Sequence, residues 1–250
     1  VACADGEGAS KNISAALKWY NRAAEQGYAK AQCQLGLMHK RGDGVLQSDE
    51  AAVIWFTKSA AQDNASAQFN LGLMFDEGKG VIENSKTAAH WYTLATQQGY
   101  AEAQLSLALM YEVGRGVPKN APTALKLFAL AAEQGVALAQ YNMAVAFETA
   151  EGAPKDLILA FEWYRQAAEQ GHAQAQYNLG LFYKRGDGAP KNELIAIKWL
   201  TLAAEQGNAS AQLNIGLMYE DGKGVEENSK IAVYWYILAA KQGHAQAQTN

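Results

Sequence analysis

The chain has little of what builds most catalytic and metal sites. Its 250 residues include two cysteines, Cys3 and Cys33, four histidines and four prolines. Two cysteines exclude the disulfide framework that staples small secreted domains. No Cys-x-x-Cys occurs and no two histidines stand four apart, so the usual zinc-ligand spacings are missing. A phosphate-binding P-loop, a dinucleotide glycine motif and a Gly-x-Ser-x-Gly elbow are missing too. No run of 18 apolar residues exists, which argues against insertion into a membrane. The net charge of -4 lacks the basic excess of a nucleic-acid surface. The chain opens on Val1 and a glycine-rich stretch, without the basic region and apolar segment of a signal peptide. The compartment stays open between the cytoplasm and a periplasmic or secreted location reached after removal of a signal.

What is present is a period. Thirty-six residues separate Gly27 from Asp63, Asp63 from Gly99, and so on through Gly135, Gly171, Gly207 and Gly243. Trp19, Trp55, Trp91, Leu127, Trp163, Trp199 and Trp235 keep the same step, as do the pairs Gly42/Gly44, Gly78/Gly80, Gly114/Gly116, Gly186/Gly188 and Gly222/Gly224. An uninterrupted period of this length predicts a solenoid of stacked supersecondary units. Cys33 falls where other units place Phe69, Leu105, Tyr141, Tyr177 and Leu213, and Cys3 where they place His39, Phe75, Tyr111, Phe147, Tyr183 and Tyr219. Both cysteines are therefore expected as small core side chains, too far apart for a disulfide.

Each unit reads as an antiparallel helix pair. Asn12, Ser48, Asn84, Asn120, Asp156, Asn192 and Asn228 are suited to cap the first helix. Ala16, Trp19, Tyr20, Ala23 and Ala24 then mark one apolar face, and Gly27 and its equivalents end the helix as left-handed residues. Asp63 is the one exception, a residue type that tolerates that conformation. The second helix runs from Ala29 to about Lys40 and carries Gly36, Gly72, Gly180 and Gly216 at its middle, with Ala108 and Ala144 at the same position. Glycine costs about 1 kcal/mol there relative to alanine, so a close neighbouring helix is expected over it. Glycine turns follow, with Pro118, Pro154 and Pro190 stiffening the return. Ala150 replaces the first turn glycine of its unit, which leaves two readings: the backbone needs no positive φ there, or the helix runs on. The reading is an all-α fold, an α/α superhelical solenoid of about six and a half repeats in a single array over residues 1–250. Residues 1–11 form the tail of a preceding unit, full repeats occupy 12–47, 48–83, 84–119, 120–155, 156–191 and 192–227, and residues 228–250 begin another.

Ala-Ala-Glu-Gln-Gly at 23–27, 131–135, 167–171 and 203–207, Ala-Gln-Tyr-Asn-Leu-Gly at 175–180 and Gly-Asp-Gly at 186–188 closely resemble the Sel-one-like repeat (SLR) family, relatives of the tetratricopeptide repeats. The resemblance covers essentially the whole chain. It implies a right-handed superhelix whose first helices line a concave groove. It also implies an adaptor in protein complexes, as in bacterial signalling and virulence factors and in eukaryotic ER-associated degradation.

In such an array, function is sought where the units disagree. The variable first-helix positions share one face. They supply Ile54, then His90, Lys126, the cluster Glu162, Arg165 and Glu169, Lys198, and finally Tyr234 and Ile237, with Leu94 at the flanking position. They read either as the wall of a groove for a protein or peptide, mixing charge with apolar anchors, or as ordinary solvated helix positions. The second helix carries a ladder of Gln34, Asn70, Ser106, Asn142, Asn178 and Asn214. Asn142, Asn178 and Asn214 are candidates to hold an extended peptide backbone; the other reading has each amide bond a loop carbonyl or a neighbouring unit. Gln32 and its equivalents read as structural, His172 and His244 as turn residues, and the tryptophans and tyrosines as core.

No catalytic residue, metal ligand or cofactor is assigned. The expected role is a non-enzymatic scaffold binding a protein or peptide. Self-assembly through uncapped ends is an alternative. A third is the β-lactam binding or hydrolysis linked to cysteine-rich bacterial relatives. Those relatives carry a cysteine pair in nearly every repeat, and this chain does not.

Overall fold

The structure, a computed structural model, describes residues 4–248, with the side chains of residue 13 and residues 15–247. Cys3 lies outside the described residues. Thirteen α-helices are found among them: α1 (Ala4–Glu25), α2 (Ala29–Arg41), α3 (Asp49–Ala60), α4 (Ala65–Glu77), α5 (Ser85–Gln97), α6 (Ala101–Val113), α7 (Ala121–Glu133), α8 (Ala137–Thr149), α9 (Leu157–Glu169), α10 (Ala173–Arg185), α11 (Glu193–Glu205), α12 (Ala209–Asp221) and α13 (Ser229–Lys241). A short 3-10 turn, Ala245–Gln248, follows. The chain divides into two compact units, Val1–Leu127 and Phe128–Asn250. Inside each unit every helix packs on the next, α1 to α6 in the first and α8 to α13 in the second. Each unit is a stack of antiparallel helix pairs.

Local chemistry sets the boundaries. The side chains of Ser48, Asn84, Asn120, Asp156, Asn192 and Asn228 accept backbone N–H groups of the first turn at 3.0–3.1 Å. Each cap residue's own N–H reaches back nine residues to the end of the preceding helix, as from Ser48 to the His39 carbonyl at 3.0 Å and from Asp156 to Phe147 at 3.0 Å. That bond bends the chain at the cap. Asn12 departs from the expectation: α1 passes through it as one helix. The residue nine before Asn12 is Cys3, so the bond that would bend the chain there also lies outside the described residues.

Asp63 takes φ 58, as expected. Ala150 overturns both readings offered for it. It adopts φ 63 and ψ 26, and the helix stops before it, so the turn keeps its left-handed residue without glycine. An L-residue pays on the order of 1 kcal/mol for this conformation. Ala150→Gly is expected to stabilise the protein by about 1 kcal/mol in urea unfolding, with the m-value unchanged.

The mid-helix glycines lie beneath side chains of the following first helix: Gly36 under Phe56, Gly72 under Tyr92, Gly180 under Leu200 and Gly216 under Tyr236. Tyr92, Tyr164, Phe56 and Leu200 are fully buried. The tryptophans differ from the expectation of a core role. Trp55, Trp91, Trp163, Trp199 and Trp235 are half-buried, and Trp19 is 68% exposed. Trp55, Trp91, Trp163, Trp199 and Trp235 each precede a buried core residue by one position, a rotation of about 100° around the helix, which carries them to the rim of the core. Trp91 covers the cluster of Phe56, Leu71 and Met74, and Trp199 covers that of Tyr164, Leu179 and Phe182. Cys33 is buried as a free thiol, with Sγ 3.7 Å from Ser66 Oγ; burial pushes its pKa up.

Candidate functional site

The glutamine ladder of the second helices points inward, into bonds that tie helix to helix. In the first unit Gln32 Nε2 donates to the Ala24 carbonyl at 3.1 Å, and its Oε1 accepts from Gln62 Nε2 at 2.8 Å. Gln68 bonds Ala60 and Gln98 in the same way. In the second unit Gln140, Gln176 and Gln212 repeat the arrangement with Gln170, Gln206 and Gln242. Gln32, Gln68, Gln140, Gln176 and Gln212 are at least nine-tenths buried, and their partner glutamines are exposed. One amide thus satisfies the end of its own hairpin and holds the next. For Gln170 and Gln206 the second glutamine of the clamp is the Gln of Ala-Ala-Glu-Gln-Gly, and Gln62, Gln98 and Gln242 hold the equivalent position. Sequence reasoning missed this pairing, although the fixed separation of thirty residues between the partners is a signal that can be read.

The asparagine ladder is engaged internally at Asn70, Asn178 and Asn214. Asn214 donates to the Ser210 carbonyl at 2.9 Å and accepts from Lys184 Nζ at 2.9 Å. Asn178 Oδ1 accepts from Gln174 Nε2 at 3.3 Å and lies beside the Tyr164 hydroxyl. Asn142 Nδ2 is buried, with no hydrogen-bond partner among the described residues. Burial, with the neighbouring Glu148 carboxylate, pushes the Tyr164 pKa far up; burial and Asp76 do the same to Tyr92.

The variable first-helix positions face outward. In the first unit Ile54 is 56% exposed beside Lys58, whose Nζ stands 4.5 Å over the Trp55 ring. His90 is exposed and edge-on to Trp91, Leu94 is half-buried, and Lys126 is exposed. In the second unit Arg165 is bound on both sides by its own helix, to Glu162 at 2.7 Å and Glu169 at 2.8 Å. That cluster is neutralised from within, apart from one carboxylate charge. Lys198 is exposed with no acidic partner in salt-bridge range among the described residues. Tyr234 and Ile237, one turn apart on α13, are 56% and 49% exposed, and the Tyr234 ring stands edge-on to Trp235.

His172 is the turn residue it was expected to be, with a definite task. Its Nδ1 accepts the Ala175 N–H at 3.2 Å, capping α10 as Asn64 caps α4 and Asn208 caps α12, and its ring stacks on Tyr141 at 4.8 Å. Only a ring unprotonated at Nδ1 can accept that bond, and burial lowers its pKa. Among the described residues no three His, Cys, Asp or Glu side chains gather as a metal site would need, and no helix is long and apolar enough to cross a membrane.

Capped helix pairs at a fixed step, clamped to each other by buried amides and exposing a variable face, define a helical-repeat scaffold of the solenoid class. The Sel1 repeat pattern matches seven successive stretches: residues 1–28, 29–64, 65–100, 101–136, 137–172, 173–208 and 209–244. The chain belongs to the Sel1 repeat family. Its frame begins each unit at a second helix and ends it at the following first helix, so α2 and α3 share one repeat. Two solved structures are similar in sequence and fold. One is c5321, a protective antigen of uropathogenic Escherichia coli strains displaying an SLR fold: 33% identical, TM-score 0.87, covering 92% of this chain. The other is a Sel1 repeat protein from Oxalobacter formigenes, 32% identical, TM-score 0.74, covering 86% of both chains. The chain spans 50% of the length of the E. coli antigen. No curated protein matches it.

Proposed function

We propose that the chain is a non-enzymatic scaffold that holds a protein or peptide partner against the exposed face of its first helices, the concave wall implied by the family geometry. The supporting observation is the exposure of Tyr234 and Ile237 side by side on α13, at positions where α9 carries Glu162 and Arg165. A merely solvated face gains nothing from an aromatic and a branched aliphatic side chain there, whereas such residues anchor protein interfaces. The Glu162, Arg165 and Glu169 cluster is a weaker anchor, because a partner would have to break two existing ion pairs to use the arginine.

The test compares capture by the parent protein, Tyr234→Lys/Ile237→Lys, and Glu162→Lys/Arg165→Glu/Glu169→Lys, with captured proteins identified by mass spectrometry. The first variant is expected to lose a specific partner at least about tenfold at unchanged helicity, the loss of about 1.4 kcal/mol or more typical of interface anchors. The second is expected to lose less. Equal capture by the parent and Tyr234→Lys/Ile237→Lys would remove this face from consideration.

A further inference from the structure

Sixteen residues before each buried ring position of a first helix stands a side chain near the end of the preceding second helix, and its charge follows the ring. Where the ring position is tyrosine the earlier residue is acidic: Asp76 before Tyr92, Glu148 before Tyr164, Glu220 before Tyr236. Where it is Phe56 or Leu200, the earlier residue is Lys40 or Lys184. Glu112 before Phe128, at the division between the two units, departs from this rule.

The contacts explain the correlation. Tyr164 Oη donates to Glu148 Oε2 at 2.6 Å, and Tyr236 Oη donates to Glu220 Oε2. Asp76 is a methylene shorter, binds Arg115 at 2.8 Å and makes no hydrogen bond to Tyr92 among the described residues, while the Tyr92 hydroxyl lies beside Ser106. Lys40 and Lys184 have no hydroxyl to meet and turn instead to the following second helix, donating to Asn70 Oδ1 at 3.4 Å and Asn214 Oδ1 at 2.9 Å. Both asparagines are oriented for this by their own bonds to the Ser66 and Ser210 carbonyls.

A half-buried charge that loses its partner costs more than the pair contributes. We propose that within each compact unit this side chain keys one antiparallel helix pair to the next: junctions come in two kinds, carboxylate–tyrosine and lysine–asparagine, and a pair stacks properly only on a successor of matching kind. A slip of one period, with one repeat looped out, would break the match. In the second unit such a slip would set Glu148 against Leu200 and Lys184 against Tyr236. The key thus disfavours pairing out of order, a role buried polar pairs take in coiled-coil register.

Two reciprocal double-mutant cycles test this, read by urea unfolding. Lys184→Glu/Leu200→Tyr converts a lysine junction to the carboxylate kind, and Gly180 leaves beneath residue 200 the room that Gly216 leaves beneath Tyr236. Glu148→Lys/Tyr164→Phe converts the other way, with Asn178 in place as acceptor. In each cycle the double variant is expected to be at least about tenfold more stable, as an unfolding equilibrium constant, than the two single losses predict by addition. The second cycle decides the matter if a variant of the first does not fold. Additive losses in the measurable cycles, or a Lys184→Glu protein as stable as the parent, would overturn the proposal.

Discussion

Gly72→Val is expected to destabilise the protein by about 3 kcal/mol, the upper part of the range for overpacked cores. Gly72 sits inside α4, and a Cβ built on it would stand 2.6 Å from the Tyr92 ring. Two effects oppose each other at this position. Alanine would gain about 1 kcal/mol of helix propensity and lose about 1–3 kcal/mol to overpacking, so Gly72→Ala falls between neutral and a loss of about 2 kcal/mol. Valine keeps little of the propensity gain and adds two methyl groups against a ring with no exposed surface to turn into. Ala144, buried in one cluster with Tyr164, shows a junction that carries a Cβ from the outset. Its neighbours are placed for it, as those of Gly72 are not. Urea unfolding at constant m-value measures the effect, and a Gly72→Val protein within about 1 kcal/mol of the parent would refute the close-approach account.

What was legible in the sequence follows from what each residue type answers to. Caps and left-handed turn residues respond to their own few residues of backbone, so Ser48, Asn84, Asp156 and Asp63 could be placed by spacing and chemistry alone. The mid-helix glycines were legible because their helical cost demands a compensating neighbour. Depth was not. Apolar periodicity gives the face of a helix but not how far around that face the next repeat reaches, which is why the tryptophans were expected in the core and stand at its rim. The amide ladders were ambiguous for another reason. Asparagine and glutamine bond equally well to a partner's backbone, a loop or a neighbouring repeat, and only the placement of Lys184 beside Asn214 and Gln170 beside Gln140 decides between them. The exposed face was correctly located by its variability at Ile54, Lys198, Tyr234 and Ile237. The neutralisation of Arg165 within α9 depends on rotamers and is visible only in three dimensions.

Gln140→Leu is the second large loss expected, about 2–3 kcal/mol, and it is expected to change how the chain unfolds as well as when. Gln140 Nε2 donates to the Ala132 carbonyl at 3.1 Å and to Gln166 Oε1 at 3.2 Å, while its Oε1 accepts from Gln170 Nε2 at 2.8 Å. Leucine removes all three, each worth about 1 kcal/mol net, and offsets only part of the loss because the site was already sealed from water. Gln170→Ala removes one of the three, and truncating this exposed side chain leaves room for a water to replace it at the buried Gln140 Oε1. It should cost about 1 kcal/mol, which makes it the control for the clamp itself. In a linear array, stability is the sum of weak repeats and strong interfaces, and cooperativity lives in the interfaces. Cutting the clamp that links α8 to α9 should therefore let helices on either side of it unfold at different urea concentrations. The transition would broaden, with a fall in apparent m-value that Gly72→Val, which also strains a junction but keeps the amide clamp, should show less. Hydrogen exchange of α8 and α9 amides reports this directly. Equal protection on both sides, with a transition as steep as the parent's, would mean that apolar packing alone couples the repeats.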